Sequence, residues 1–298
     1  MFAGTLGFLF GQEATLVDVH TDTQGLRPDD LEDTLANWDT KHPGKRFPKL
    51  LYTIPTGSNP SGASSPESRK LEVLALAHKY NLLVLEDDAY HYLFYGTDKI
   101  TKRPASYFEL EARNGAEAGR VVRFDTMSKV LSAGMRIGLL TAAPALISQI
   151  TLITACTSVQ PNSLAQAVAL KYLTRLGHQG FYEHTLRVAQ LYKKRRDFFE
   201  AAARKHLDGL ATWVQPDTGM FLYLRLNLTK DGTDGDSAQL IRETAVRRGV
   251  LAVPGVGFSP TKTKSCFVRC SFSLVTEAEA DEAIRRLADT IREGRGEI

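Results

Sequence analysis

Metal-ligand spacing is missing from this sequence. Its three cysteines, Cys156, Cys266 and Cys270, form no CxxC pair, and its seven histidines never fall into HxxxH or HExxH. An odd, scattered set of thiols excludes a disulfide framework, so a reducing intracellular compartment and no bound metal are expected. No apolar run approaches the roughly 20 residues that span a bilayer, which argues against a membrane protein. The opening decapeptide MFAGTLGFLF has no basic region and no cleavage site, so it does not read as a signal peptide, and a cytoplasmic location is expected. Strong charge of either sign is also absent: 37 Lys and Arg against 34 Asp and Glu leave a net +3, which gives nucleic acid little to bind. The densest basic cluster, Lys193 to Arg196, follows Leu186, Ala189, Leu191 and Tyr192 at helical spacing and reads as a solvated helix face. Internal repeats and low-complexity tracts are lacking, and the polar stretches 98–103 and 231–236 read as loops. The pair Gly255 and Gly257 lacks the third glycine of a dinucleotide fingerprint and follows no strand-to-helix turn, which argues against a Rossmann dehydrogenase.

What is present describes a globular chain of 298 residues with 43% hydrophobic and 24% charged side chains, long enough for a large domain with a smaller one attached. Residues 49–54 (KLLYTI) read as a strand that stops at Pro55, followed by the loop PTGSNPSG. Ser65 offers an N-cap with Pro66 at the first helical position, and Leu71, Leu74, Ala75 and His78 continue a helix over about 66–80. Leu82 to Leu85 is an unalternating apolar run, as in a strand covered on both faces, and ends in Glu86-Asp87-Asp88. A third run, Val121 to Phe124, ends in Asp125-Thr-Met-Ser-Lys129, and a fourth spans 137–141. The fold class is therefore α/β, a doubly wound, mostly parallel sheet. Helical patterns at about 145–157 and 162–176 are expected to close this large domain over residues 1–180. A linking helix over 181–206 then leads to a smaller α+β domain over 207–298.

Polar clusters fall at the carboxyl ends of these strands, where open α/β sheets bind ligands. Taken singly, each has an ordinary reading: Asp87 as a helix cap or surface carboxylate, Lys129 as a surface lysine, Asn59 as a turn residue, Arg136 as an ion-pair arginine. Arg269 says more. Residues 265–274 alternate as a strand, with Cys266, Val268, Cys270, Phe272 and Leu274 on one face and Phe267, Arg269, Ser271 and Ser273 on the other. The cysteines then belong to the core. Arg269 is left among hydroxyls and an aromatic ring, so it needs an anionic partner unless the strand is an exposed edge.

In order and spacing, PTGSNPSG (55–62), EDDAY (86–90), DTMSKVLSAGMRIG (125–138) and FVRCSF (267–272) resemble class I/II pyridoxal-phosphate-dependent aminotransferases of the aspartate aminotransferase superfamily. The kynurenine/α-aminoadipate and fungal aromatic branch is the nearest match, and the resemblance runs from about Phe2 to the carboxyl terminus. It implies the fold type I architecture, incomplete at its start, with pyridoxal 5'-phosphate as cofactor and a homodimer. Carried over residue by residue, it makes Lys129 the Schiff-base lysine and Asp87 the partner of the pyridine nitrogen. Asn59 and Tyr90 become donors to the ring hydroxylate, and Thr126, Ser128 and Arg136 phosphate ligands. The same resemblance gives Arg269, with Asn59, the substrate α-carboxylate and suggests a cis Asn59-Pro60 bond. Phe258 either walls the side-chain pocket or packs on its own domain.

Members of the family begin well before the position of Met1, and the chain reads as truncated. Phe2 falls where the family stacks an aromatic ring on the cofactor. Weak cofactor binding and poor turnover are expected of a chain without the usual phosphate cradle. The implied reaction moves an amino group between an aromatic or long-chain 2-amino acid and a 2-oxo acid such as 2-oxoglutarate. A silent paralogue or regulatory domain, and a lyase or decarboxylase on the same scaffold, share most of these residues.

Overall fold

Short aliphatic runs bounded by Pro, Gly and Asp build the first sheet. The computed structural model describes residues 1–96, 102–114, 119–229 and 235–297. Helix α1 (Ala3–Gly11) leads, followed by a small ribbon, β1 (Thr21–Asp22) against β2 (Gly25–Leu26), then α2 (Pro28–Ala36) and α3 (Trp38–Lys41). The sheet itself uses β3 (Leu50–Thr53), β4 (Leu83–Asp87), β5 (Val121–Thr126) and β6 (Gly138–Thr141), in that spatial order. The first three strands are parallel and β6 runs antiparallel to β5. Parallel neighbours need a crossover, which α4 (Glu67–Lys79) supplies between β3 and β4 and α5 (Tyr107–Asn114) between β4 and β5. Val73, Leu74 and Ala77 of α4 pack with Leu51, Val84 and Val121 in one apolar cluster.

Next come α6 (Pro144–Thr157) and the long α7 (Ser163–His206), interrupted at Gly177, whose φ of 65° and ψ of 179° are not helical. The second sheet is antiparallel, in the order β7 (Ala211–Trp213), β8 (Phe221–Leu226), β10 (Phe267–Ser271), β9 (Val253–Pro254). Between β8 and β9 lies α8 (Ser237–Gln239), which continues as a π-helical turn over Leu240–Ala245. Helix α9 (Glu277–Gly294) opens with a capping box, in which Thr276 accepts the Glu279 N–H and Glu279 accepts the Thr276 N–H.

A single apolar cluster joins the two sheets. It runs from Ile54, Tyr90 and Met127 at the strand ends of the first to Leu222, Leu224, Val268 and Phe272 of the second. Phe272 is fully buried, its ring 6.0 Å from that of Phe199 on α7. Phe272→Ala is expected to destabilise the fold by about 3–5 kcal/mol, read from the midpoint of chemical denaturation at unchanged slope.

Some expectations fail for physical reasons. Ser65 is not the cap of α4: Pro66 takes that place without a side-chain bond, and the Ser65 N–H is held by the Pro55 carbonyl. Leu274 lies beyond the end of β10 and is exposed, so the strand's alternation stops before it. Helix α6 buries none of its residues, and Leu139, Leu152, Ile153, Leu164 and Leu170 are exposed. The helical patterns at 145–157 and 162–176 form helices, α6 and the first part of α7. Arg196, expected on a solvated face, is buried: it donates to Asp197 and the Pro216 carbonyl and lies 5.5 Å over the Tyr95 ring. Of the two expected polar loops, residues 98–101 and 231–234 lie outside the described residues. The cysteines behave as read, with Cys266 and Cys270 buried, and burial pushes the Cys270 thiol up to about 12. No group of side chains among the described residues could hold a metal, and no described helix is long and apolar enough to cross a membrane.

Candidate active site

Three strand ends of the first sheet and one strand of the second bring their polar side chains to one place. After β3 the chain turns through residues 55–62 with a cis Asn59-Pro60 bond, as the resemblance suggested. Gly57 sits at φ 61°, and a Cβ there would lie 2.7 Å from the Thr218 methyl, so both conformation and space require glycine. Ser64 fastens the loop by accepting the Gly57 N–H and donating to Asp217 at 2.6 Å.

The loop presents Asn59, which is buried. A guanidinium can only donate, so the Asn59 Oδ1 faces Arg269, accepting Nη1 at 2.8 Å, while Nδ2 donates to the Tyr90 hydroxyl at 3.3 Å. Burial pushes the Tyr90 phenol up to about 12, against the pull of Asn59 and Arg269, so it keeps its proton. Arg269 lies on β10 between β8 and β9, which removes the edge-strand alternative. Its guanidinium is sandwiched, with Phe221 at 4.0 Å and Phe258 at 4.9 Å, and its buried Nε has no hydrogen-bond partner.

In the run Glu86-Asp87-Asp88 the strand's alternation separates the three carboxylates. Glu86 is buried and accepts the Tyr107 and Phe108 N–H groups at the start of α5, with burial and Asp88 raising it to about 7. Asp88 lies beside Arg123 at 3.1 Å and His91 at 3.3 Å, and Arg123 also forks onto Asp125. These groups brace the strand ends. Asp87 has no ion-pair partner among the described residues, and its one side-chain hydrogen bond there comes from the Tyr52 hydroxyl at 2.5 Å. Burial raises its pKa, with Asp88 and Asp125 adding to the rise and Tyr52 opposing it.

Beyond β5, Thr126 caps a 3-10 turn, accepting the Ser128 N–H and donating to the Ile137 carbonyl, so its hydroxyl is used within the turn. Lys129 ends that turn half-buried, and burial, then Arg136 and Arg269, lower its pKa. Arg136 is exposed, on a left-handed backbone at φ 54°, and its Nη1 donates to the Ala133 carbonyl at 3.3 Å. Phe2 follows Met1, whose amine donates to the Phe258 carbonyl at 3.1 Å, so the start of the chain lies on the Arg269 side.

The donor set fits pyridoxal phosphate. An amine with lowered pKa suits a carbonyl, and a half-buried carboxylate with no ion-pair partner among the described residues suits a protonated ring nitrogen. Ser128 with Arg136 suits a phosphate, and Arg269, with no carboxylate beside it among the described residues, suits an acid. Tyr52 and Phe221 are additions to the residues read from sequence. Phe221 sits opposite Ser271 and Arg269 opposite Tyr223, so Phe221 and Arg269 are diagonal neighbours, a relation visible only once β8 and β10 are paired.

Sheet and pocket together define the fold type I class of pyridoxal-phosphate proteins. The family profile described as aminotransferase class I and II matches residues 11–287, and the chain belongs to that family. It is 47% identical over 290 residues to aminotransferase tdiD of Emericella nidulans, covering 97% of this chain and 65% of that protein. Similarity to the mitochondrial kynurenine/alpha-aminoadipate aminotransferase of Mus musculus is 39% over 303 residues, covering 98% and 67%. A solved kynurenine aminotransferase from Pyrococcus horikoshii, in complex with PMP, superposes with a TM-score of 0.84 at 30% identity over 98% of this chain and 67% of the other. The chain thus spans about two thirds of the length of the curated relatives it matches.

Proposed function

We propose that this chain carries the catalytic residues of an aminotransferase. It would pass an amino group from an aromatic or long-chain 2-amino acid to a 2-oxo acid such as 2-oxoglutarate, working as a cytoplasmic homodimer. The observation that carries the reading is Arg269, a stacked, half-buried guanidinium whose charge reaches Lys129 and which has no carboxylate of its own among the described residues. Pyridoxal phosphate, when bound, supplies a carbonyl that accepts the amino group and a ring that stabilises charge at the substrate α-carbon.

The protein's own side chains do the rest. Lys129, with its amine lowered by burial and two guanidiniums, has more free base at neutral pH than an ordinary lysine, and the same nitrogen can take and return the α-proton. Asp87 would hold a proton at the ring nitrogen, while Asn59 and Tyr90 would donate to the ring oxygen. Ser128 and Arg136, with Thr126 shaping their turn, would hold the phosphate, and Phe2 would flank the ring. Arg269 would clamp the substrate α-carboxylate with two parallel bonds, and Asn59 steers that fork.

Adding pyridoxal phosphate to the purified chain should produce a visible absorbance band. An aromatic amino acid should convert it to the near-ultraviolet band of the amine form, and 2-oxoglutarate should restore it. A spectrum indifferent to amino acids would leave a cofactor-binding domain without turnover and sink the proposal.

A further inference from the structure

We propose that Tyr52 is a positioning residue for Asp87: its phenol holds one carboxylate oxygen and leaves the other, with its charge, for the ring nitrogen of the cofactor. The inference rests on the cofactor reading above. Tyr52 stands on β3 beside Leu85 of β4, and residues paired across parallel strands share a face, as do residues two apart along one strand. Asp87, two residues past Leu85, therefore lies on the same face one row ahead. The phenol reaches along the sheet and donates to Oδ2 at 2.5 Å, while the Thr5 hydroxyl of α1 lies 3.4 Å behind it.

The proton of this bond belongs to Tyr52, because burial and the Asp87 charge both raise the phenol. Other groups that act on Asp87 are Asp88 and Asp125, both of like charge. A donor on one oxygen makes the carboxylate a weaker base, so in a carboxylate–pyridinium pair the proton stays on nitrogen. It also fixes the rotation of a side chain that has no other hydrogen bond among the described residues. A tyrosine that merely filled space would need neither the hydroxyl nor its direction.

Tyr52→Phe removes the oxygen and keeps the ring. In the cofactor-free chain, the titration midpoint of Asp87, followed by carbon-13 NMR of labelled aspartate, should rise, and an unchanged midpoint overturns the proposal. In the chain loaded with ring-nitrogen-15 pyridoxal 5'-phosphate, the nitrogen resonance should move toward its unprotonated value, and kcat should fall on the order of tenfold with KM little changed. A resonance identical to that of the parent also overturns it. Incorporating 3-fluorotyrosine at position 52, a stronger donor, should move the carboxylate midpoint the opposite way, and this arm decides the matter alone if Tyr52→Phe does not fold. If the parent gathers no cofactor, the function reading falls, and the cofactor-free titration still upholds or overturns the role of Tyr52.

Discussion

Lys129→Ala is expected to leave no measurable transamination. Two roles end together, because the same amine would carry the cofactor and shuttle the α-proton, and general acid–base work alone is worth about 10² to 10⁴ in rate. The lysines of α4 offer no substitute. Lys70 is buried and donates to the Ala105 carbonyl, and Lys79 is tied to Glu32 on the surface. Borohydride reduction of the parent loaded with pyridoxal phosphate, followed by peptide mapping, should place the label on Lys129, and the alanine variant should take up none. Label on another lysine would refute the assignment.

Arg269→Met should lower kcat/KM for amino acids by roughly 10²-fold or more while cofactor affinity stays close to that of the parent. Losing two charge-assisted bonds to a carboxylate removes about 3 kcal/mol or more, and the methionine still fills the slot between Phe221 and Phe258. Arg269→Lys should recover little, since an ammonium has neither the planar stack nor the fork. The decisive comparison uses an amine without the α-carboxylate. The parent should reject it, and the methionine variant should no longer discriminate. Discrimination that survives the substitution would transfer carboxylate recognition to another residue.

Much of this site is legible in sequence because its parts stand at the ends of apolar runs, where a buried strand meets an abrupt polar or glycine-rich stop. Asn59, Asp87 and Lys129 are found that way, and Arg269 by alternation within one strand. What stays hidden depends on pairing between distant segments. Tyr52 reads as one more apolar residue of KLLYTI until β3 is set against β4, and Phe221 until β8 is set against β10. Glu86 and Asp88 share a run with Asp87 yet face α5 and Arg123, a division that follows from strand geometry and that composition cannot reveal. Arg196 misleads because charge predicts exposure only where no carbonyl or aromatic ring waits inside, and Pro216 and Tyr95 provide both.

Asn59 touches Arg269 through a neutral oxygen, and that choice of atom has consequences for selectivity. An aspartate in the same place would be nearly identical in shape. It would also be a resident competitor: a tethered carboxylate at very high local concentration, occupying the fork that, on the proposed function, incoming amino acids would need. The amide steers the guanidinium while leaving its positive charge uncompensated, so the pocket stays tuned to anions from solution. At this position, one nitrogen in place of one oxygen would separate a guanidinium open to an external acid from one already paired within the chain.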